Sequence, residues 1–232
     1  GIHEYISAQC DIGQSESAGQ RFSGPMLVMK VPSGEKLAID GFIGWNSFQD
    51  KWWNISWKER GVRFLSQAPF PQGSSYEIDK SWNVCVVKGV TLTIGEHRWT
   101  EDLLVDTGFY GDLRVRGDLW REMESQVDQS DPVIQGMWNP VSGVTVNKTY
   151  VQKRLVFMGC EMIDVAIGTG AFLDSTTKNS SEVPKLLIGI RGLSHMEVTG
   201  DGPGGQLFVK ERSEPAISSK HNRSGVAFIP DK

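Results

Sequence analysis

Val90-Thr91-Leu92-Thr93-Ile94 alternates apolar and polar positions, Gly95-Glu96-His97 supplies turn residues, and Trp99 to Val105 follows as a second run ending in three apolar residues. A period of two on either side of a Gly turn predicts a strand pair, and the second strand delivers Asp106 at its end. Thr149 to Phe157 and Met162 to Ile167 predict a further strand pair. Lys185 to Leu193 reads as an apolar strand broken by Gly189, and Asp131 to Val146 has the Gly, Pro and Asn content of a hairpin. A helical period occurs in Gly117 to Val127, where Asp118 is the expected N-cap and Leu119, Trp120, Met123 and Val127 fall on one stripe, read as core. The expected class is therefore mostly β with one short helix.

The N-terminal third is patterned differently. Residues 11–24 are polar and rich in Gly and Ser, and are expected as a mobile arm or loop. Pro25 to Val31 and Lys36 to Ile43 predict a hairpin across Pro32-Ser33-Gly34-Glu35, and an aromatic cluster follows at Trp45, Phe48, Trp52, Trp53 and Trp57. Clustered Trp more often fills a small core or covers an interface than it forms a binding platform. Ala68 to Ser75 reads as a connection, and the chain is polar from Ser213 onward. The expected division is an N-terminal β annex over 1–75, a main domain over 76–212 and a tail over 213–232.

Composition narrows the function classes. With 232 residues, 39% hydrophobic and 22% charged, the chain can bury one good core and a smaller annex. A net charge of −4 without any Lys/Arg block argues against nucleic acid as the main partner. No apolar run approaches the length of a membrane span, and the N-terminus does not read as a signal peptide. Cys10, Cys85 and Cys160 are odd in number and scattered, which predicts neither a disulfide framework nor a zinc site; an intracellular, soluble protein is the expectation. On that expectation the N-x-S/T sequons at Asn54, Asn147, Asn179 and Asn222 are chance matches. His3, His97, His195 and His221 lack metal-ligand spacing, and no G-x-S-x-G elbow occurs. Gly200 to Gly205 lacks the Lys and Ser/Thr of a phosphate loop, and Gly168-Thr169-Gly170 does not continue into a dinucleotide fingerprint. No metal or cofactor is expected.

The chemistry-bearing feature is Asp106-Thr107-Gly108 at the end of Leu103-Leu104-Val105. Two carboxylates that share a proton hydrolyse a peptide bond without metal or covalent intermediate: one activates water as general base while the other protonates the carbonyl oxygen. Gly108 lets the backbone pass close to a partner loop, and the Thr107 hydroxyl is a candidate to hold that loop by a backbone hydrogen bond. A D-T-G triplet alone arises by chance in about one chain in twenty of this size. About eighty residues downstream, however, stands Leu186-Leu187-Ile188-Gly189. In this pairing the chain resembles the retropepsin-like aspartic proteases, where an apolar-apolar-Asp-Thr-Gly loop is followed by a flap hairpin, further strands and an apolar-apolar-Gly segment packed behind the loop. The resemblance covers roughly Trp82 to Arg212. Phe109 after the Gly is more similar to D-T-G-F variants of bacterial and archaeal relatives than to viral members, which often carry Ala or Ser.

The resemblance implies a closed β-barrel or sandwich and an aspartic endopeptidase acting on peptide or protein substrates. It implies Asp106 as catalytic carboxylate, Thr107 and Gly108 as the active-site loop, and Ile188 and Gly189 as the floor behind it. Gly136, Met137, Trp138 and Gly143 fall in the flap, over an extended substrate paired by β-augmentation. Since the sequence holds one D-T-G, the second carboxylate is expected from a second copy, as a homodimer with Asp106 of each subunit at a two-fold axis. Asp40, in a segment that echoes the Asp106 region without the Thr, is the alternative partner. Gln206 to Val209 is a candidate interface strand, and Asp112 and Arg114 are candidates for substrate contact or a surface role. Members of this family are often excised from polyproteins, and the start at Gly1-Ile2-His3 fits such a cut end or a tag remnant. A catalytically inactive dimerisation or peptide-binding module is the rival reading.

Overall fold

The computed structural model describes residues 7–17, 20–29, 45–57, 61–65, 69, 72–130, 132–139, 143–170 and 183–213. The described chain is mostly strand, arranged as a closed six-strand barrel, a five-stranded sheet and a separate hairpin.

The barrel contains β6 (Cys85–Ile94), β7 (His97–Asp106), β8 (Leu113–Val115), β10 (Gly143–Phe157), β11 (Cys160–Thr169) and β12 (Leu186–Gly189). Its order is β11-β8-β12-β7-β6-β10, and β10 pairs back onto β11 to close it. The two hairpins predicted from alternation are β6–β7, with Ile94 opposite His97, and β10–β11, with Thr149 opposite Gly168 and Phe157 opposite Cys160. His97 thus belongs to the strand, and the turn is Gly95-Glu96. Leu92, Leu103, Leu113, Leu155, Phe157, Met162, Ile167, Leu186 and Ile188 are buried and form the interior. β12 is buried at every position, because it lies between β7 and β8 and is covered on both faces. Leu186 and Ile188 join the main core, while Leu187 points the other way into a second cluster with Val86, Leu104 and Phe109.

The helix α1 (Gly117–Met123) follows β8 and runs into a 3-10 turn over Glu124–Gln126. Leu119, Trp120, Met123 and Val127 are all buried, as the stripe predicts. The N-cap is Arg116 rather than Asp118. Asp118 lies inside the first turn, where its carboxylate accepts the Arg116 Nε–H at 2.7 Å and the Leu119 N–H at 2.9 Å. Those bonds place a negative charge at the helix start without making it the cap.

The Trp-rich segment is integral to the fold. β3 (Trp52–Ser56) and β4 (Gly61–Leu65) form a hairpin, and β3 also pairs with β13 (Met196–Asp201). The sheet order β4-β3-β13-β14-β5 is completed by β14 (Gln206–Glu211) and β5 (Ser74–Glu77), so strands from both sides of residue 75 share one sheet. Trp53 is buried, edge-on to Trp45 at 6.1 Å and to Phe48 at 5.7 Å between ring centroids. Trp57 donates its indole N–H to the Met196 carbonyl at 2.9 Å. Trp53 belongs to the main core, and Trp45, Phe48 and Trp57 pack against it, so the rings serve core packing rather than a binding platform. β14 bonds to β13 along one edge and to β5 along the other. Gln206 to Val209 therefore has no free edge to offer a second copy, which corrects the interface-strand expectation.

Residues 11–17 and 20–24 lie in the hairpin β1 (Ser7–Ser17) and β2 (Gln20–Met29), so this polar stretch is strand rather than an irregular loop. Asp40 and most of the predicted hairpin over 25–43 fall outside the described residues.

Candidate active site

The site follows from the order of three strands. β7 and β12 run parallel, with Leu103 beside Leu186, Val105 beside Ile188 and Asp106 beside Gly189. β8 lies on the far side of β12 and runs antiparallel to it, with Leu113 opposite Ile188. The chain leaving β7 at Asp106 must therefore step across the end of β12 to reach β8. It crosses at Gly189, and a Cβ there would stand 2.3 Å from the Gly111 carbonyl oxygen and 2.4 Å from that of Phe109. Only a residue without a side chain fits under the crossing, which is the physical reason for an apolar-apolar-Gly segment behind the Asp loop.

The crossing is clamped at both ends. The Ile190 N–H donates to the Phe109 carbonyl at 2.8 Å, and the Gly189 N–H to the Asp112 carbonyl at 2.9 Å. Within the loop, the Gly108 N–H donates to Asp106 Oδ1 at 2.9 Å and the Phe109 N–H to the Asp106 carbonyl at 3.1 Å. One carboxylate oxygen of Asp106 is thus tied to its own loop, which orients the group. Asp106 is half-buried, whereas Thr107 and Gly108 are exposed. The structure therefore places the Asp106-Thr107-Gly108 loop beside Ile188 and Gly189.

Phe109 does not stand over the loop. It is 7% exposed, packed with Val86, Leu104 and Leu187 and covered by the Arg114 guanidinium at 5.4 Å from the ring centroid. Gly111 follows because its neighbour leaves no room: a Cβ there would lie 2.1 Å from Phe109 Cζ. Tyr110, between them, is 73% exposed.

Asp112 and Arg114 are both buried, so neither the substrate-contact nor the surface role weighed for them holds. The Asp112 carboxylate accepts the Ala166 N–H of β11 at 2.8 Å and pairs with Arg191 at 3.3 Å. Arg191 belongs to α2 (Ile190–Leu193), the single turn after Gly189, so this ion pair ties the loop to β11 and to the segment beneath it. A buried charge needs such a partner. Burial lowers the Arg114 pKa to about 10 while the nearby Asp112 opposes the shift. His195, just past α2, has its pKa lowered by burial, with Asp112 acting the other way. Sequence reasoning missed Arg191 as the partner of Asp112 and Phe109 as the loop's apolar anchor. The available signal was an Arg two residues past the motif Gly.

The segment carrying Gly136, Met137, Trp138 and Gly143 is a hairpin, as its composition predicts. β9 (Pro132–Asn139) pairs with the first half of β10, Gly136 opposite Val146, Met137 opposite Thr145, Trp138 opposite Val144 and Asn139 opposite Gly143. β9 is the outermost strand of its sheet. Among the described residues no backbone hydrogen bond joins this hairpin to the Asp106 loop. No group of three or more His, Cys, Asp or Glu able to hold a metal ion occurs among the described residues, and no helix there is long and apolar enough to cross a membrane.

No protein-family model matches the chain, and no curated protein matches its sequence.

Proposed function

We propose that the protein is a retropepsin-like aspartic endopeptidase that works as a homodimer. Two copies of Asp106 share a proton across the two-fold axis and activate one water against a peptide carbonyl. The observation that carries this reading is the Asp106–Gly189 pairing at the ends of two parallel strands, with the loop crossing over Gly189 and Asp106 Oδ1 held by the Gly108 N–H. The arrangement fixes one carboxylate rigidly beside exposed Thr107 and Gly108, which suits a site completed by a symmetry-related loop. A strand-like substrate would lie between this floor and the β9–β10 hairpin, whose outer strand pairs with no further strand among the described residues. Excision from a larger precursor is one setting for such an enzyme.

The rival is a non-catalytic dimerisation or peptide-binding module, which a bulky Phe109 blocking the floor would support. With Phe109 packed into the apolar cluster, that support is lost. The deciding experiment is peptide hydrolysis over a broad mixture from acid to neutral pH by wild type and Asp106→Asn, with molecular mass followed in parallel. Cleavage lost in the variant while the dimer persists is the expected result. A dimer that cleaves nothing in either form would move the assignment to the binding module.

A further inference from the structure

Val86 of β6, Leu104 of β7 and Leu187 of β12 stand side by side across three neighbouring strands. Successive residues of a strand point to opposite faces, so with Leu103, Leu186 and Ile188 inside the barrel this row lies on its outside. An outward row of apolar side chains would meet water, yet all three are buried. Among the described residues two aromatic rings pack with them: Phe109, which belongs to the Asp106 loop, and half-buried Trp82, which precedes β6. Phe109 is therefore held outside the main core, in a small cluster to which Trp82 comes from neither the barrel strands nor the loop. Trp82 is itself fixed by a turn in which the Asp79 carboxylate accepts the Ser81 N–H at 3.0 Å and its hydroxyl at 2.7 Å, while the Trp82 N–H donates to the Asp79 carbonyl at 3.4 Å. The Asp79 N–H donates to the Val86 carbonyl at 2.8 Å, which ties the turn to a strand that carries the row. On its other side the Ile78 N–H donates to the Gly205 carbonyl at 2.8 Å and Lys80 Nζ to the Pro203 carbonyl at 2.6 Å, so the turn is also bonded to the connection between β13 and β14.

We propose that Trp82 is a positioning residue for Asp106: its ring completes the cluster that holds Phe109 against the Val86-Leu104-Leu187 row, and so fixes the path of the loop that leaves β7 at Asp106. Its effect on turnover rests on the peptidase reading. Trp82 acts through Phe109 and not on the substrate. A reacting group displaced by about an ångström loses much of its effect, whereas an extended substrate is bound along its whole length, so the cost of losing the ring falls on kcat more than on KM.

The test compares wild type, Trp82→Ala and Trp82→Phe, with Ile55→Ala, a truncation in the main core on β3, as the control for lost stability. Amide exchange is followed at Gly108 and Phe109, whose N–H groups bond within the loop, and at Leu92 and Met162 in the barrel, and kcat and KM are measured on one cleaved peptide. In Trp82→Ala, exchange at Gly108 and Phe109 is expected to accelerate roughly tenfold beyond that at Leu92 and Met162, and kcat to fall roughly tenfold with KM within about twofold of wild type. Trp82→Phe restores most of both, because a ring still covers the row, and Ile55→Ala lowers the unfolding midpoint without singling out the loop. A Trp82→Ala protein whose loop and barrel amides accelerate alike, or whose kcat equals that of a wild type with Asp106-dependent cleavage, overturns the positioning role. If Trp82→Ala does not fold, Trp82→Leu takes its place and is read in the same way. A wild type with no Asp106-dependent cleavage overturns the peptidase reading and the effect on turnover with it, while the exchange rates still decide whether Trp82 holds the loop.

Discussion

Gly189 has the least latitude of any residue in the candidate site. The atoms its Cβ would meet are backbone oxygens of Phe109 and Gly111, in a loop held by the hydrogen bonds at residues 189 and 190, so neither can swing aside as a flexible side chain would. Gly189→Ala is expected to cost about 1–3 kcal/mol of stability and to displace the Asp106 loop. Urea unfolding and the peptide assay read both, and a variant with wild-type stability and turnover would contradict the crossing geometry. Asp118 offers a test of a different kind. The hydrogen bond from Arg116 is the main cause that lowers its pKa to about 2, outweighing the effect of partial burial. A carboxylate whose folded pKa is depressed stabilises the fold above its unfolded pKa of about 4 and loses that contribution as pH falls toward 2. Because the Asp118 side chain is 41% exposed, solvent screens the pair and the contribution is small. Asp118→Asn is expected to be slightly less stable than wild type at neutral pH and to converge with it between about pH 4 and pH 2. Parallel stability curves through that range would show that the pair contributes nothing.

Among elements, those built from neighbouring sequence were legible and those built from distant sequence were not. β6–β7 and β10–β11 announce themselves by alternation on either side of short turns, and α1 by its apolar stripe. β8 has three residues, all buried, with Arg114 in the middle, and nothing in Leu-Arg-Val separates it from a loop. The pairing of β3 with β13 joins Asn54 to Thr199, a contact no local pattern can foretell. The same holds at the site. Asp106 and Gly189 were visible as motifs, but the reason for the glycine appears only once β12 is seen between β7 and β8. Asp112, acidic and set between Gly111 and an Arg-containing run, reads as surface, and its burial depends on Ala166 and Arg191 arriving from other strands. The β3–β13 pairing also changes what a truncation would do. Deleting residues 1–75 removes β3 and β4, strips Trp53 from the core and leaves β13 as an unpaired edge. Loss of the Trp53 packing alone is worth about 3–5 kcal/mol. The shortened protein is therefore expected to unfold at markedly lower temperature, or to aggregate through the bared strand. Calorimetry decides this, and an unchanged midpoint with raised turnover would instead make the segment inhibitory.

For the molecule as a whole, the closed barrel governs what a single chain can do alone. It presents one D-T-G loop at the end of β7, with Asp106 half-buried and Thr107, Gly108 and Tyr110 turned outward. The proposed chemistry needs two carboxylates close enough to share a proton, and a pair of this kind titrates as a unit that neither member reproduces. If the second carboxylate comes from another copy, activity must follow assembly. Below the dissociation constant of the dimer, turnover per chain should then fall in proportion to concentration, since the fraction of paired chains does. Mixing gives a sharper test. When wild type is equilibrated with an equal amount of Asp106→Asn, random pairing leaves about half of the wild-type chains facing an inactive partner, so turnover at fixed wild-type concentration should drop to about half, and further as the variant is added in excess. Subunit exchange can be followed by mass using a tagged variant. Turnover unaffected by an exchanging excess of Asp106→Asn would mean that each chain completes its own site, and the second carboxylate would have to be sought within the same chain.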